Sequence, residues 1–198
     1  LDPSNDNIGG KHVTDIAIIV GSTRPGRYSR AVADWVLEHA SRRADAKFEV
    51  VDLADHVLPL LDEPVPASGG QYAGEHTKRW SAVIDRFDGF VFVTPEYNHS
   101  TSAVLKNAID YLYAEWNDKA AGFVSYGVAG GVRAVEHLRL VAAEVQLATV
   151  RAQVALSLYT DYEGFTVLAP QPQRETELGD LIDQLVRWSN ALATVRAA

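Results

Sequence analysis

The sequence predicts a doubly wound α/β fold: a five-stranded parallel sheet in the order 2-1-3-4-5, with helices on both faces. Three observations carry that prediction. Five short apolar runs alternate with segments whose apolar residues recur at helical spacing, the pattern of repeated strand–helix–strand units. The run Gly89–Thr94 (GFVFVT) is apolar on both faces, as central parallel strands are. The 198 residues, 47% apolar and 22% charged, suit one compact domain with a sizeable core. Right-handed crossovers among five strands then favour the order 2-1-3-4-5.

The elements follow in order. Residues 1–12 are polar, contain Asn and Gly, and are expected to form a disordered leader before a single domain over residues 13–198. Val13–Val20 (VTDIAIIV), rich in β-branched residues, is the first strand. Val32, Trp35, Val36 and Ala40 share one stripe, giving a helix over about Ser29–Ser41. Phe48–Leu53 is the second strand. The stretch His56–Gly74, with Pro59, Pro64, Pro66 and Gly69–Gly70, is too long and broken for a plain connector, and such loops are often functional. Trp80, Val83, Ile84 and Phe87 mark the second helix, and Gly89–Thr94 is the third strand. A helix over about Ser102–Ala114 turns Leu105, Ala108, Ile109 and Leu112 inward. Ala120–Ser125 is the fourth strand, followed by a helix with Val135, Leu138, Ala142 and Val145 inward. Arg151–Leu158 is the fifth strand. After a Pro-containing loop, Leu178, Leu181, Ile182, Leu185 and Leu192 define the last helix.

Composition narrows the function. A net charge of −8 argues against sequence-independent nucleic-acid binding, which needs a basic face. No apolar stretch approaches a bilayer span, and no basic amphipathic helix points to a membrane surface. The absence of cysteine excludes disulfides, thiolate catalysis and cysteine-based metal sites. The six histidines are scattered, and none forms the spaced pair with a Glu that a zinc protease needs, so no metal site is expected. A cytoplasmic location is the default expectation.

In such a sheet, ligands bind beyond the strand carboxyl ends, at the switch point between strands one and three. Three unusual loops meet there: Gly21–Ser29 (GSTRPGRYS), Pro95–Ser100 (PEYNHS) and Tyr126–Gly131 (YGVAGG). The first joins a buried strand to a helix N-terminus, which offers unpaired N–H groups and about half a positive charge to an anion. Ser22, Thr23 and Ser29 add hydroxyl donors, and Arg24 adds a charge-assisted one. Arg24, Arg27 and Arg30 cluster in an otherwise acidic chain, which favours a phosphate cradle over a merely solvated turn. The loop lacks the Gly-Lys-Ser/Thr of a Walker motif and the glycines of the dinucleotide fingerprint. In the second loop, Pro95 fixes direction, Glu96, Tyr97 and Asn98 present backbone amides, and Tyr97 offers a ring face. The same residues are also compatible with a simple turn in which Asn98 caps the next helix. The third loop supplies an aromatic, then glycines that admit close backbone approach, although alone it is only a β–α turn.

The combination GSTRPGRYS, TPEYNHS…LKNAIDYL and SYGVAGG resembles the NADPH-dependent FMN reductase family of flavodoxin-like flavoproteins, from Val13 to about Leu158. Leu58–Glu63 (LPLLDE) and His76–Trp80 (HTKRW) look like its actinobacterial-type branch. Ser100–Ser102 departs from it, since many relatives carry Pro-Gly or Tyr-Pro there. The resemblance implies that Ser22, Thr23, Arg24 and Ser29 hold the FMN phosphate, with Arg27 a weaker candidate. It places Pro95, Glu96, Tyr97 and Asn98 along the isoalloxazine, and Ser125, Tyr126, Gly127 and Gly130 on its opposite side. Glu96 looks like an acid/base candidate and His99 like a rim residue, although hydride transfer to flavin N5 needs no side-chain proton donor. The implied activity is oxidation of NADPH or NADH, with two electrons passed by ping-pong to a quinone, flavin, azo or similar small-molecule acceptor. The alternative is a flavodoxin-type FMN electron carrier or redox-responsive binding protein. Arg27 or Lys78 offers a contact for an NADPH 2′-phosphate. Relatives form homodimers or dimers of dimers. Tyr111, Tyr113 and Trp116 cluster near the ligand edge, suiting either such an interface or packing within their own domain.

Overall fold

The computed structural model describes residues 13–198, so the expected leader lies outside the described residues. Five strands, β1 (Thr14–Val20), β2 (Ala46–Asp52), β3 (Gly89–Pro95), β4 (Lys119–Gly127) and β5 (Leu147–Ser157), form one parallel sheet in the order β2-β1-β3-β4-β5. The flavodoxin-like topology expected from the sequence is the one present. Helices α1 (Ser29–Ala40) and α5 (Pro172–Arg196) cover one face; α2 (Glu75–Asp85), α3 (Ala103–Asp110) and α4 (Val132–Glu144) cover the other.

Both faces of the central strands are buried, and their alternation divides the core into two layers. Ile16, Ile18, Val20, Val91 and Val93 pack with Val32, Val36, Leu181 and Leu185 beneath α1 and α5. Ala17, Ile19, Phe90 and Phe92 point the other way, onto Trp80, Ile84, Leu105 and Leu138. There Phe90, Phe92 and Phe123 stack with ring centroids 5.9 Å apart at each step, and Trp116 meets Phe90 edge-on at 4.9 Å. Side chains of period two on doubly covered strands explain why GFVFVT shows no polar face.

Three differences from expectation stand out. Helix α3 stops at Asp110 rather than Ala114, because indole N–H groups take its last carbonyls: Trp80 Nε1 donates to Ala108 O at 2.8 Å and Trp116 Nε1 to Ile109 O at 3.1 Å. This leaves Tyr111 and Trp116 fully buried inside their own domain, so neither belongs to an exposed interface. Strand β5 begins at Leu147 rather than Arg151, and a register shift opposite Gly122 absorbs the extra residues. The loop before α5 holds a hairpin, β6 (Tyr162–Glu163) and β7 (Val167–Leu168), for which the sequence carried only a generic loop signal.

The broken stretch 56–74 is fixed in place. Asn107 accepts from Leu61 N–H (2.9 Å) and donates to Pro59 O (2.7 Å), while Tyr111 Oη donates to Asp62 (2.9 Å). His76 also meets Asp62 (3.0 Å), and Glu63 caps α2 by accepting from the N–H groups of Ala73 (2.7 Å) and Gly74 (2.9 Å) and from the Thr77 hydroxyl. LPLLDE and HTKRW therefore occur together because each supplies the other's hydrogen-bond partners.

Candidate functional site

The three loops converge at the carboxyl ends of β1, β3 and β4. Gly21 leaves β1 by donating to Val93 O at 2.8 Å, and a Cβ there would sit 2.6 Å from that oxygen, so only glycine permits the approach. Arg24–Arg27 (RPGR) then closes a turn, with Arg27 N–H on Arg24 O at 3.0 Å and Gly26 at φ +70°, the backbone a central Pro-Gly pair favours. Helix α1 follows with Tyr28 as its N-cap, no side-chain cap and no acidic residue in its first turn. Its first N–H groups thus remain available to an anion.

Ser22 and Ser29 are buried in this cradle. Ser22 Oγ lies 2.9 Å from Tyr97 Oη and accepts from Arg24 N–H at 3.3 Å; Ser29 Oγ approaches Ser22 O at 3.5 Å. Thr23 and Arg24 are exposed above them. The arginines divide by role. Arg27 is tied to the buried Asp52 at 2.8 Å, and Arg30 to Asp34 at 3.0 Å with Asp52 at 3.9 Å. Among the described residues, Arg24 makes no ion pair. Lys78 pairs with Glu75 at 2.8 Å, so both residues expected for a 2′-phosphate, Arg27 and Lys78, are already engaged.

The second loop is coupled to the first through Ser102, which caps α3 by accepting from Leu105 N–H (3.2 Å) and donates to Gly21 O. Asn98 therefore does not cap that helix. Asn98 and His99 instead occupy the centre of a tight turn at φ +50° and +68°, with Tyr97 and Ser100 exchanging backbone hydrogen bonds at 2.9 and 3.1 Å. Two successive left-handed residues define a type I′ turn, in which Asn is favoured. Glu96 N–H donates to Tyr126 O at 3.1 Å, joining the second loop to the third. Its carboxylate accepts from Arg133 Nε (2.5 Å) and Arg133 N–H (3.2 Å) at the start of α4. Burial alone would raise the Glu96 carboxyl, but these bonds hold it below the usual carboxylate range. A carboxylate fixed as an anion on Arg133 positions α4 and is not placed to donate a proton. His137 meets Ser100 Oγ at 3.0 Å on the same rim.

In the third loop, Gly130 and Gly131 adopt φ +72° and +75°, and a Cβ on Gly131 would meet Ser125 Cβ at 2.7 Å. Ser125 is fully buried and donates to Gly130 O at 2.7 Å, so its hydroxyl shapes the loop from beneath. Gly127 O accepts from Gly130 N–H (3.1 Å) and Leu158 N–H (3.0 Å). Tyr126 is turned under the start of α1, its ring 6.3 Å from Tyr28. Burial pushes its hydroxyl up to about 12, while the Ser29 hydroxyl and N–H beside it act in the opposite sense. That hydroxyl completes no hydrogen bond of normal geometry, and neither does the buried Nε of Arg27.

A cleft of about 250 Å³ opens between the first two loops, lined by Ser22, Thr23, Arg24, Tyr97 and Ser102–Val104. A neighbouring cleft of about 330 Å³, toward Leu53 and Leu58, shares Thr23 and Val104 with it. A larger one of about 510 Å³ lies at the opposite end of the sheet, between Asp15, Lys47 and Arg86, and none of the three loops reaches it. Sequence reasoning missed Ser102, Arg133 and the Tyr28–Tyr162 pair. A Ser before an apolar helical run is a cap signal, but nothing local announces the other contacts.

A doubly wound sheet in the order 2-1-3-4-5, with a helix N-terminus, a tight turn and a glycine-rich loop meeting at its switch point, defines a flavodoxin-like protein. The sequence profile of NADPH-dependent FMN reductases matches residues 14–161, and the chain belongs to that family of oxidoreductases. It is similar to an NAD(P)H-dependent FMN reductase of Schizosaccharomyces pombe, 41% identical over 168 residues and covering 84% of each chain. A quinone reductase of Pseudomonas putida is 37% identical over 134 residues, 64% of this chain and 68% of the relative. Among solved structures, the flavoenzyme NAD(P)H:(acceptor) oxidoreductase FerB of Paracoccus denitrificans shares the fold with a TM-score of 0.70. It is 22% identical and the match covers 90% of this chain and 98% of that one.

Proposed function

We propose that the chain binds FMN at the three-loop edge and oxidises NAD(P)H, passing two electrons to a quinone, flavin, azo compound or similar small acceptor. The observation that carries this reading is the division of the arginines: Asp52 and Asp34 engage Arg27 and Arg30, while Arg24 lines the cleft between the first two loops and pairs with no carboxylate among the described residues. The residues present fit a phosphate monoester. The cradle offers helix N–H groups, the hydroxyls of Ser22, Thr23 and Ser29, and one guanidinium, while two buried polar atoms beside it, Tyr126 Oη and Arg27 Nε, complete no hydrogen bond of normal geometry. Pro95–Asn98 and Gly127–Gly130 would then flank the ring with backbone groups, while Ser125 holds Gly130 and Ser102 ties the end of the second loop to Gly21.

FMN held at this edge would supply two-electron redox chemistry, so that donor and acceptor would use one face in turn with ping-pong kinetics. The chain's part would be to orient the group, with the backbone amides of the second and third loops available to hold developing negative charge. Parallel double-reciprocal plots for NADPH against a quinone support this reading. Intersecting plots, or FMN-loaded protein that consumes no NADPH, overturn it. Extensive semiquinone during dithionite titration indicates the one-electron carrier instead.

The same reading includes a homo-oligomer. Val57 and Leu60 are 85% and 82% exposed on a loop that Asn107, Tyr111 and Glu63 hold rigid. A preorganised apolar ridge suits association, because little conformational freedom is lost on docking. Leu60→Asp is expected to shift the light-scattering mass from dimer or tetramer to monomer; an unchanged mass removes this face from the interface.

A further inference from the structure

The hairpin β6–β7 has a buried root and an exposed aromatic tip. At the root, Asp161 is fully buried and accepts from Ser157 N–H (2.9 Å), Gln171 N–H (3.1 Å), Thr160 Oγ1 (2.9 Å) and Arg174 Nε (3.2 Å). Tyr162 packs on Tyr28 with ring centroids 5.3 Å apart. The hairpin is therefore fixed to the sheet and to the start of α1. At the tip, Gly164 and Phe165 lie at φ +55° and +62°, with Thr166 N–H on Glu163 O at 3.1 Å, a type I′ turn. A phenylalanine at the second central position of that turn is strained, since a bulky residue disfavours positive φ. Its ring gains little burial in return. Phe165 is 52% exposed and meets Tyr159, itself 66% exposed, edge-on at 5.3 Å.

The position of this pair supplies a purpose. Leu158 N–H donates to Gly127 O (3.0 Å) and Ser157 Oγ to Val128 O (3.1 Å), stitching the chain just before Tyr159 to the third loop. Val128 is exposed there as well. A strained, exposed aromatic pair on a rigid root, beside the loop that flanks the redox centre, is a preformed apolar wall.

We propose that Tyr159 and Phe165, with Val128, bind the ring system of a planar aromatic electron acceptor, a quinone being the simplest, in preference to small inorganic oxidants. The inference rests on the assignment of residues 126–131 to the flavin side of the site. Flat apolar acceptors gain ring–ring contact and burial on such a wall, whereas a hydrated anion gains neither.

Phe165→Gly tests it in the FMN-loaded enzyme, because glycine relaxes the turn and preserves the fold; Tyr159→Ser is the second variant. The readout is the ratio of kcat/KM for a naphthoquinone to that for ferricyanide. Each variant is expected to lower it about three- to tenfold, the worth of one aromatic contact, with FMN affinity and thermal midpoint retained. An unchanged ratio in both variants overturns the proposal, as does a fall in native mass, which assigns the pair to a subunit contact. Wild-type protein that binds no FMN overturns the site reading itself, a result distinct from a holoenzyme whose acceptor preference ignores both substitutions.

Discussion

Replacing Arg24 by alanine probes the phosphate cradle directly, because the structure separates this arginine from its neighbours. Arg24 has no carboxylate partner among the described residues and is exposed, so its removal orphans no buried charge and leaves the apo fold intact. A charge pair about 4 Å apart is worth about 1 kcal/mol in water and about 4 kcal/mol at an effective dielectric constant of 20. A charge-assisted hydrogen bond contributes about 1.5–3 kcal/mol, and the exposure of Arg24 places it near the middle, about 2 kcal/mol. FMN affinity should therefore fall about 30-fold, read by quenching of flavin fluorescence. Riboflavin, which lacks the phosphate, should bind the variant and the wild type equally. With FMN in excess of both dissociation constants, linkage reduces the stabilisation by the same ~2 kcal/mol, and the FMN-induced rise in Tm should shrink by about 4–8 °C. Equal losses for FMN and riboflavin would place Arg24 on the ring, and unchanged FMN binding would remove it from the site.

Other expectations follow from the coupling of the loops. Ser102→Ala removes a helix cap and the tie to Gly21 O, and should cost about 1–2 kcal/mol, read as a Tm lower by roughly 2–8 °C. Glu96→Gln should retain the rate of NADPH oxidation, since the carboxylate serves Arg133. Its stabilising contribution is present above the unfolded carboxyl pKa and is lost as pH falls through the lowered folded value, so the wild-type advantage in Tm should vanish in acid. Lys119 is buried on Ile84 O and Asp85 O, and burial lowers it to about 8. The unfolded chain then binds the extra proton between about pH 8 and 10, so stability should rise across that window, and Lys119→Met should abolish the slope in denaturant titrations.

The elements and their buried faces were legible because they depend on periodicity, which a single sequence displays, and the handedness of the crossovers then gave the sheet order. GFVFVT reads as a doubly buried strand whatever lies beyond it. The ends of elements were less legible, since distant residues set them. Helix α3 stops where Trp80 and Trp116 reach its carbonyls, and Trp80 lies 28 residues from its acceptor. The hairpin β6–β7 was hidden for the same reason: strands of two residues carry no period, and its anchor Asp161 draws partners from Ser157, Gln171 and Arg174.

The candidate site shows the same limit acting on chemistry. Three arginines within seven residues read as one positive cluster, yet charge counted along a chain is not charge available to a ligand. Asp52, far from the loop in sequence, ends the strand paired with β1 and is thereby carried to Arg27, its register partner being Val20 at the loop's threshold. Pairing of β1 with β2 thus neutralises part of the cluster as a consequence of the fold. The engaged Arg27 braces the Pro25–Gly26 turn, which leaves Arg24 on the cleft between the first two loops. An extra unpaired guanidinium would strengthen attraction for any phosphate, whereas one guanidinium on a braced turn would fix where the proposed phosphate lies. If FMN binds here as proposed, a fixed tail would in turn fix the ring, which a donor and an acceptor sharing one face would require.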